Sequence, residues 1–312
     1  MIKKRHFIIV MAILLAGLIV GSFLDLQINK AIFSDRNGFG IAMAAFGTLP
    51  CYAGLAFLGG GIIGAVIKRK DLHPALRVAS IVAGITAYGV SIYLGHKDIP
   101  SINGYYNSAL KIPMIIASAV VFAGVAFFGY WVCSKNDNKK LWAVIFIMLF
   151  VYIVGLIPVS YVIKLFIHRP RYRLLVVSGE VPFHNWWDSF KNYKDYITNP
   201  PLEINGFEIT KEEFKSFPSG HSGSAAIMMM SLPYLSFFFK KMKGKELLMF
   251  YIGFAWTLLM MFSRMLVGAH YLTDTCMGAL LLMAVYFITH VFTQHKGWLS
   301  YEQQPQEETV AE

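Results

Sequence analysis

The chemistry in this sequence gathers in three short stretches. The richest runs from Arg264 to Asp274 and reads Arg-Met-Leu-Val-Gly-Ala-His-Tyr-Leu-Thr-Asp. His270 and Asp274 are four residues apart, which puts both on one face of a helix within side-chain reach. A carboxylate so placed holds one imidazole nitrogen and leaves the other as a nucleophile or base. Arg264, six residues before His270, adds a fixed cation whose fork suits phosphate. The competing reading is structural: an arginine snorkelling from a helix end beside a satisfied His–Asp pair. Taken alone, the stretch supports both.

The second stretch is Lys164-Leu-Phe-Ile-His-Arg-Pro-Arg171, and the third is Phe217-Pro218-Ser219-Gly220-His221. Singly, Lys164 reads as a snorkelling lysine, Arg169 and Arg171 as headgroup contacts, and Ser219 as a helix N-cap ahead of His221. Together the stretches suit phosphate ester hydrolysis. Lys164, Arg171 and Arg264 would bind the phosphoryl oxygens and stabilise transition-state charge. The backbone N–H groups near Ser219 and Gly220 would open a helix, where free donors and the dipole favour an anion. His270 would attack phosphorus, Asp274 would fix its tautomer, and His221 would protonate the leaving oxygen and then activate water. No Asp/Glu/His cluster resembles a two-metal site, so metal-independent chemistry with no cofactor is expected.

The elements that must position these residues are apolar helices. The chain of 312 residues is 56% hydrophobic and only 15% charged, where a soluble domain is nearer a quarter charged. Several runs reach the roughly 20 apolar residues that cross a bilayer, and they are continuous rather than alternating, which excludes a β-barrel. The fold class read from this is all-α, a polytopic transmembrane bundle. Eight spans are expected: 7–28, 41–67, 75–95, 111–134, 141–167, 222–240, 247–269 and 273–293. The first is read as an uncleaved anchor, because no small-residue cleavage site follows it. Residues 1–140 then form an N-terminal set of four spans, 141–293 the chemical core, and 294–312 a polar tail, disordered from Gln303 on.

The net charge of +10 does not point to nucleic acid, because the cations cluster in short loops between apolar runs. Every second short loop is strongly basic: Lys3 to Arg5, Lys68 to Arg77, Lys135 to Lys140 and Lys240 to Lys245. The positive-inside rule puts these loops and both termini in the cytoplasm. Lys164, the long polar segment 172–217 and the 264–274 stretch then share the outer side. That segment, with Trp186 and Trp187, reads either as a lid over the site or as an interfacial cap whose aromatics sit at headgroup level. Cys51, Cys133 and Cys276 have no metal-ligand spacing and read as small core residues. His6, His73, His96, His184, His290 and His295 have no such motif around them, and His168 lies inside the second stretch at a variable position; all seven read as non-catalytic.

The three stretches resemble the motifs of the type 2 phosphatidic acid phosphatase (lipid phosphate phosphatase) superfamily: Lys-x6-Arg-Pro, Pro-Ser-Gly-His and Ser-Arg-x5-His-x3-Asp. The second and third match without change. The first matches at Lys164 and Arg171, with Tyr172 in place of the usual Pro and an Arg169-Pro170 pair two residues early. The similarity covers roughly 141–293. Members typically have six spans, so two here are extra, 75–95 and 111–134. The resemblance implies an integral membrane enzyme that hydrolyses a lipid phosphate or pyrophosphate, with phosphatidic acid, phosphatidylglycerol phosphate and polyprenyl pyrophosphate as candidates; the charge pattern puts its site at the outer leaflet, and the short cytoplasmic loops suggest a bacterial plasma membrane. Its partners are then the lipid substrate and membrane lipids; nothing in the sequence sets an oligomeric state. Rival readings are a phosphotransferase using the same phosphohistidine and a non-catalytic lipid-phosphate binder or transporter. The soluble vanadium haloperoxidases share the anion-binding pattern but not the spans.

Overall fold

The computed structural model describes residues 2–97, 101–102, 105–106, 111–136, 141–188, 190–198, 203–204 and 207–298. The tail from Gln303, expected to be disordered, lies outside the described residues. The chain folds as α1 (Lys4–Ile32), α2 (Gly38–Phe46), α3 (Leu49–Ile67), α4 (Pro74–Lys97), α5 (Lys111–Ser134), α6 (Leu141–Val151), α7 (Tyr172–Ser178), α8 (Tyr193–Thr198), α9 (Gly220–Ala226), α10 (Met228–Phe238), α11 (Glu246–Leu266) and α12 (Leu272–His295). Two short antiparallel pairs accompany them, β1 (Ser101–Ile102) with β2 (Tyr105–Tyr106) and β3 (Glu203–Ile204) with β4 (Phe207–Glu208). The fold is all-α.

Six helical stretches among the described residues are long and apolar enough to cross a membrane, with α2 and α3 acting as one, a set that fits an integral membrane protein. The sequence led to eight spans. The two that differ, 141–167 and 222–240, are apolar and helical but interrupted. After α6 the chain winds through wide π-turns over Tyr152–Leu156 and Pro158–Val162, then a 3-10 turn at Ile163–Leu165. Pro158 brings no N–H and its ring crowds the preceding turn, which favours a wider winding over a regular α-helix. The other segment breaks between α9 and α10 at Ile227 and carries Pro233 inside α10. Hydropathy reports composition and is blind to such breaks.

Helix α1 lies along α12. Its buried residues, Phe7, Val10, Leu14, Leu18, Gly21, Asp25 and Asn29, recur every three or four positions, so they form one face. At one end of this pair His290 Nε2 donates to the Ile2 carbonyl at 3.0 Å; at the other, Asn29 Nδ2 donates to the His270 carbonyl at 3.2 Å. The candidate site therefore sits at the end away from the N-terminus. Helix α3 packs against both α4 and α5, and its Gly59, Gly60 and Gly64 let those backbones approach closely.

The 172–217 segment is a folded cap with its own apolar cluster, built on Leu174, Val181, Phe190, Phe207, Ile209 and Phe214. The two tryptophans part company. Trp186 stacks on Phe217 at 5.5 Å and donates to the Ser22 hydroxyl at 3.0 Å, which ties the cap to α1. Trp187 is 58% exposed.

Candidate active site

Backbone pairing brings the three motifs together. Residues 169–171 run alongside 213–216: Ser216 N donates to Arg169 O at 3.0 Å and Arg171 N to Glu213 O at 2.8 Å. Ser219 N donates to Asp274 O at 2.9 Å, which docks the second motif on the third. Gly278, one turn past Asp274 on α12, makes that contact possible: a Cβ there would lie 2.2 Å from the Ser219 carbonyl oxygen. The third motif folds back on itself. Gly268 has a φ of 63°, and the Arg264 carbonyl receives the N–H groups of Ala269 at 3.0 Å and His270 at 3.2 Å. A left-handed residue just past a helix end turns the chain in this way, and glycine adopts it without strain. The spacing between Arg264 and His270 is thus the length of one helix-ending turn, which delivers both side chains to the same mouth.

That mouth belongs to a cavity of about 1270 Å³. Lys164, Arg171, Gly220, His221, Arg264 and His270 all line it. Ser219 and Asp274, the two other residues singled out from the sequence, are not in its wall.

His270 is almost fully buried. Its Nδ1 lies 2.6 Å from the Ser216 carbonyl oxygen. A carbonyl only accepts, so Nδ1 carries the proton and Nε2 keeps a free lone pair. Burial pushes the His270 pKa down to about 3, Asp274 pulls it the other way, and the nearby Arg171 and Lys164 charges add to the depression. The imidazole is therefore neutral at ordinary pH, the state that a nucleophile needs.

The sequence reading gave Asp274 the task of holding His270 directly. In the structure its Oδ2 is 3.8 Å from Nδ1, beyond a hydrogen bond, and the direct acceptor is Ser216 O. Asp274 Oδ2 instead receives the Tyr271 N–H at 2.8 Å and the Ser216 hydroxyl. Asp274 thus fixes the residue that fixes His270. Ser219 also differs from expectation. Its N–H is used by Asp274 O, and its side chain accepts from Ser222 N at 3.3 Å as the N-cap of α9. It is buried and positions Gly220 and His221 rather than facing an anion.

The sequence reading missed the centre of this support. Arg169 is fully buried and forks between two carboxylates, Asp25 of α1 at 2.9 Å and Asp274 at 2.5 Å. It also donates to the Thr273 hydroxyl at 2.8 Å and the His184 carbonyl at 2.8 Å, and lies 4.0 Å over the Tyr271 ring. Asp25 in turn accepts from Thr273 N at 3.1 Å and from the Thr273 hydroxyl. A carboxylate inside an apolar run was the available signal for Asp25, since such groups carry a role by default. Ser216 gave no signal, because it holds His270 through its backbone carbonyl. The ambiguity between Arg169 and Arg171 also closes: Arg171 lines the cavity while Arg169 lies behind it, so the Lys-x6-Arg register is the one that faces the site.

The cap supplies Arg173, Thr210, Glu212, Glu213 and Lys215 to the wall. Arg173 and Glu213 form a buried pair at 2.5 Å, and Arg171 Nε donates to the Glu212 carbonyl at 2.8 Å. Burial alone would raise the Glu213 pKa, but the Arg173 charge and hydrogen bond hold it below the usual value. His168, in the first motif, packs against Tyr193 of the cap with ring centroids 4.1 Å apart and tilted by 32°. The three cysteines are buried and free. Among the described residues no three His, Cys, Asp or Glu converge to hold a metal ion.

No curated protein and no solved structure matches the chain. Against protein-family models, residues 140–298, just over half of the chain, match the PAP2 superfamily. That span contains all three motifs whose side chains meet at the cavity, and on this evidence the chain belongs to the PAP2 superfamily.

Proposed function

We propose that the protein removes the phosphate from a lipid phosphate or lipid pyrophosphate through a phosphohistidine at His270. Superfamily membership and the apolar helices already support a membrane phosphatase. The observation that carries the finer reading is the state of His270: Nδ1 committed to Ser216 O, Nε2 free, in a cavity shared with His221 and three cations.

In the first step the Nε2 lone pair forms a bond to phosphorus and the bond from phosphorus to the ester or anhydride oxygen breaks. Burial and the Arg264 charge hold the His221 pKa well below 6.5 in the free protein, so His221 takes up its extra proton together with the phosphate dianion and gives it to that leaving oxygen. Lys164, Arg171 and Arg264 hold the non-bridging oxygens, where charge is concentrated in the transition state. In the second step His221 takes a proton from water, the water oxygen bonds to phosphorus and the P–N bond breaks. Inorganic phosphate leaves and both histidines return to their starting states. The alternating basic loops support a site on the outer face of the membrane.

The test is phosphate release by purified protein in detergent across lipid mono- and pyrophosphates, with the enzyme quenched in turnover and probed for acid-labile phosphohistidine. Release with a trapped adduct at residue 270 is expected. Release without any adduct in rapid-quench samples would overturn the covalent route. Phosphate appearing on an added lipid acceptor instead of in solution would identify a phosphotransferase.

A further inference from the structure

The cavity is far larger than a phosphate. Its volume of about 1270 Å³ exceeds the roughly 300–1,000 Å³ of ordinary small-molecule sites. The cations and histidines make up only part of its wall. The remaining wall is mostly apolar. Two of its sides are the interrupted fifth segment, with Ile153 and Ile157 in the lining, and α4, which contributes Ala83, Thr86, Ala87, Val90 and Tyr93; α2 and α3 add Ala44, Tyr52 and Leu55. These positions recur every three or four residues and so form a single stripe on the helix. Helix α4 packs on α3 and α5, leaving that stripe turned to the cavity. Val90 is 40% exposed and Ile153 is 56% exposed, so apolar side chains stand open where packing has not covered them. Ala83 and Ala87 are small and leave the width between the two sides.

One cavity that joins a cation cluster to a long apolar trough matches one kind of occupant: an amphiphile with an anionic head and a long hydrocarbon tail. We propose that α4, a helix outside the family match, forms the selective wall of a tail-binding trough, and that Thr86 and Val90 read the length of the substrate's chain. This rests on the phosphatase reading for what occupies the polar end. It gives the N-terminal half a task other than anchoring. A polar phosphate monoester with no tail would use the cations and leave the trough empty. A long-chain lipid phosphate would fill both and be preferred.

Two measurements on the full-length protein test this. The first uses Thr86→Cys, a small change at an open position, with maleimide labelling in detergent; the native cysteines are buried. Dioleoyl phosphatidic acid should protect residue 86, whereas inorganic phosphate and phosphatidylcholine should not. The second compares kcat/KM for dioleoyl and dioctanoyl phosphatidic acid. Thr86→Trp and Val90→Trp should lower the long-to-short ratio at least about tenfold, the scale at which a filled apolar pocket discriminates. Ile85→Trp, on the same helix but outside the cavity, should keep the wild-type ratio. Equal protection by phosphatidylcholine would make the trough a niche for bilayer lipid and overturn the proposal. So would absent protection, or ratios unchanged in both cavity variants. Protection by the lipid phosphate without phosphate release by the wild type would leave the trough standing and remove the hydrolytic reading.

Discussion

Replacing Arg169 by glutamine tests the support behind the site. The guanidinium is fully buried and is the counter-charge for two carboxylates, Asp25 at 2.9 Å and Asp274 at 2.5 Å. Glutamine keeps some length but removes the charge. Stranding one partner of a buried ion pair costs about 3–5 kcal/mol. Two partners are stranded here, so simple addition reaches about 6–10 kcal/mol, against a total stability of about 5–15 kcal/mol. Asp25→Asn is a milder change. It leaves Arg169 and Asp274 balanced one to one and keeps an oxygen for Thr273, so its cost should be that of one charge-assisted hydrogen bond, about 1.5–3 kcal/mol. The double variant Asp25→Asn/Arg169→Gln should then be more stable than Arg169→Gln alone, because one stranded carboxylate is gone. Arg169→Lys should not restore the wild type, since an ammonium cannot fork between two carboxylates. Unfolding followed by tryptophan fluorescence in detergent gives the four corners of the cycle. An Arg169→Gln variant within about 1 kcal/mol of wild type, or a double variant no better than the single, would refute the reasoning.

Further consequences concern the chemistry. His270→Ala should lower kcat by at least about 10²–10⁴ while the protein still binds lipid phosphate, measured by isothermal titration; near-normal turnover would remove His270 as nucleophile. Ser216→Ala keeps the carbonyl that orients His270 but deletes the hydroxyl on Asp274, so kcat should fall far less than in His270→Ala, with KM little changed. Activity should survive EDTA; loss that Mg²⁺ restores would point to a metal enzyme. The depressed His270 pKa also sets a pH dependence. Its ordinary value is 6.5 and its folded value about 3, so the unfolded chain binds the extra proton between these limits. The stability linked to a neutral His270 is fully present above pH 6.5 and is lost as pH falls toward 3. The gap in melting temperature between wild type and His270→Gln should narrow over that window, and a constant gap would contradict it.

The cavity-lining residues were legible because their types and spacings are local. Arg264 to His270 spans one helix-ending turn, and Lys164 to Arg171 one segment end, so a linear reading catches them. What it could not see was pairing at a distance. Arg169 meets Asp25 across more than a hundred residues, and nothing in either neighbourhood names the other. The direct partner of His270 escaped for a related reason: a backbone carbonyl carries no residue-type signature, so the nearest carboxylate in sequence took its place. The count of long uninterrupted helices differs from the count of apolar runs because the winding changes near Pro158 and breaks at Ile227 while composition stays apolar. The cap was legible only as a long polar segment, because its cluster of Leu174, Phe190, Phe207 and Phe214 assembles from pieces that are each too short to show a period.

The arrangement also resolves a conflict of charge. A phosphate dianion needs cations, while His270 needs an orienting framework that includes Asp274, and a bare carboxylate there would repel the substrate. Two unit charges about 4 Å apart interact by about 4 kcal/mol at an effective dielectric constant of 20. A free Asp274 would oppose the incoming phosphate on that scale and would also draw a proton onto His270, spoiling the nucleophile. The fold prevents both by facing Asp274 away. Oδ1 is held by Arg169 and Oδ2 by Tyr271 N and the Ser216 hydroxyl, so the carboxylate's lone pairs are largely committed before substrate arrives. The cations proposed to meet phosphate, Lys164, Arg171 and Arg264, line the cavity, and the cation that serves Asp274 lies behind it. Asp25 completes this division from the first helix, which makes a residue far outside the family match part of the electrostatics of the site.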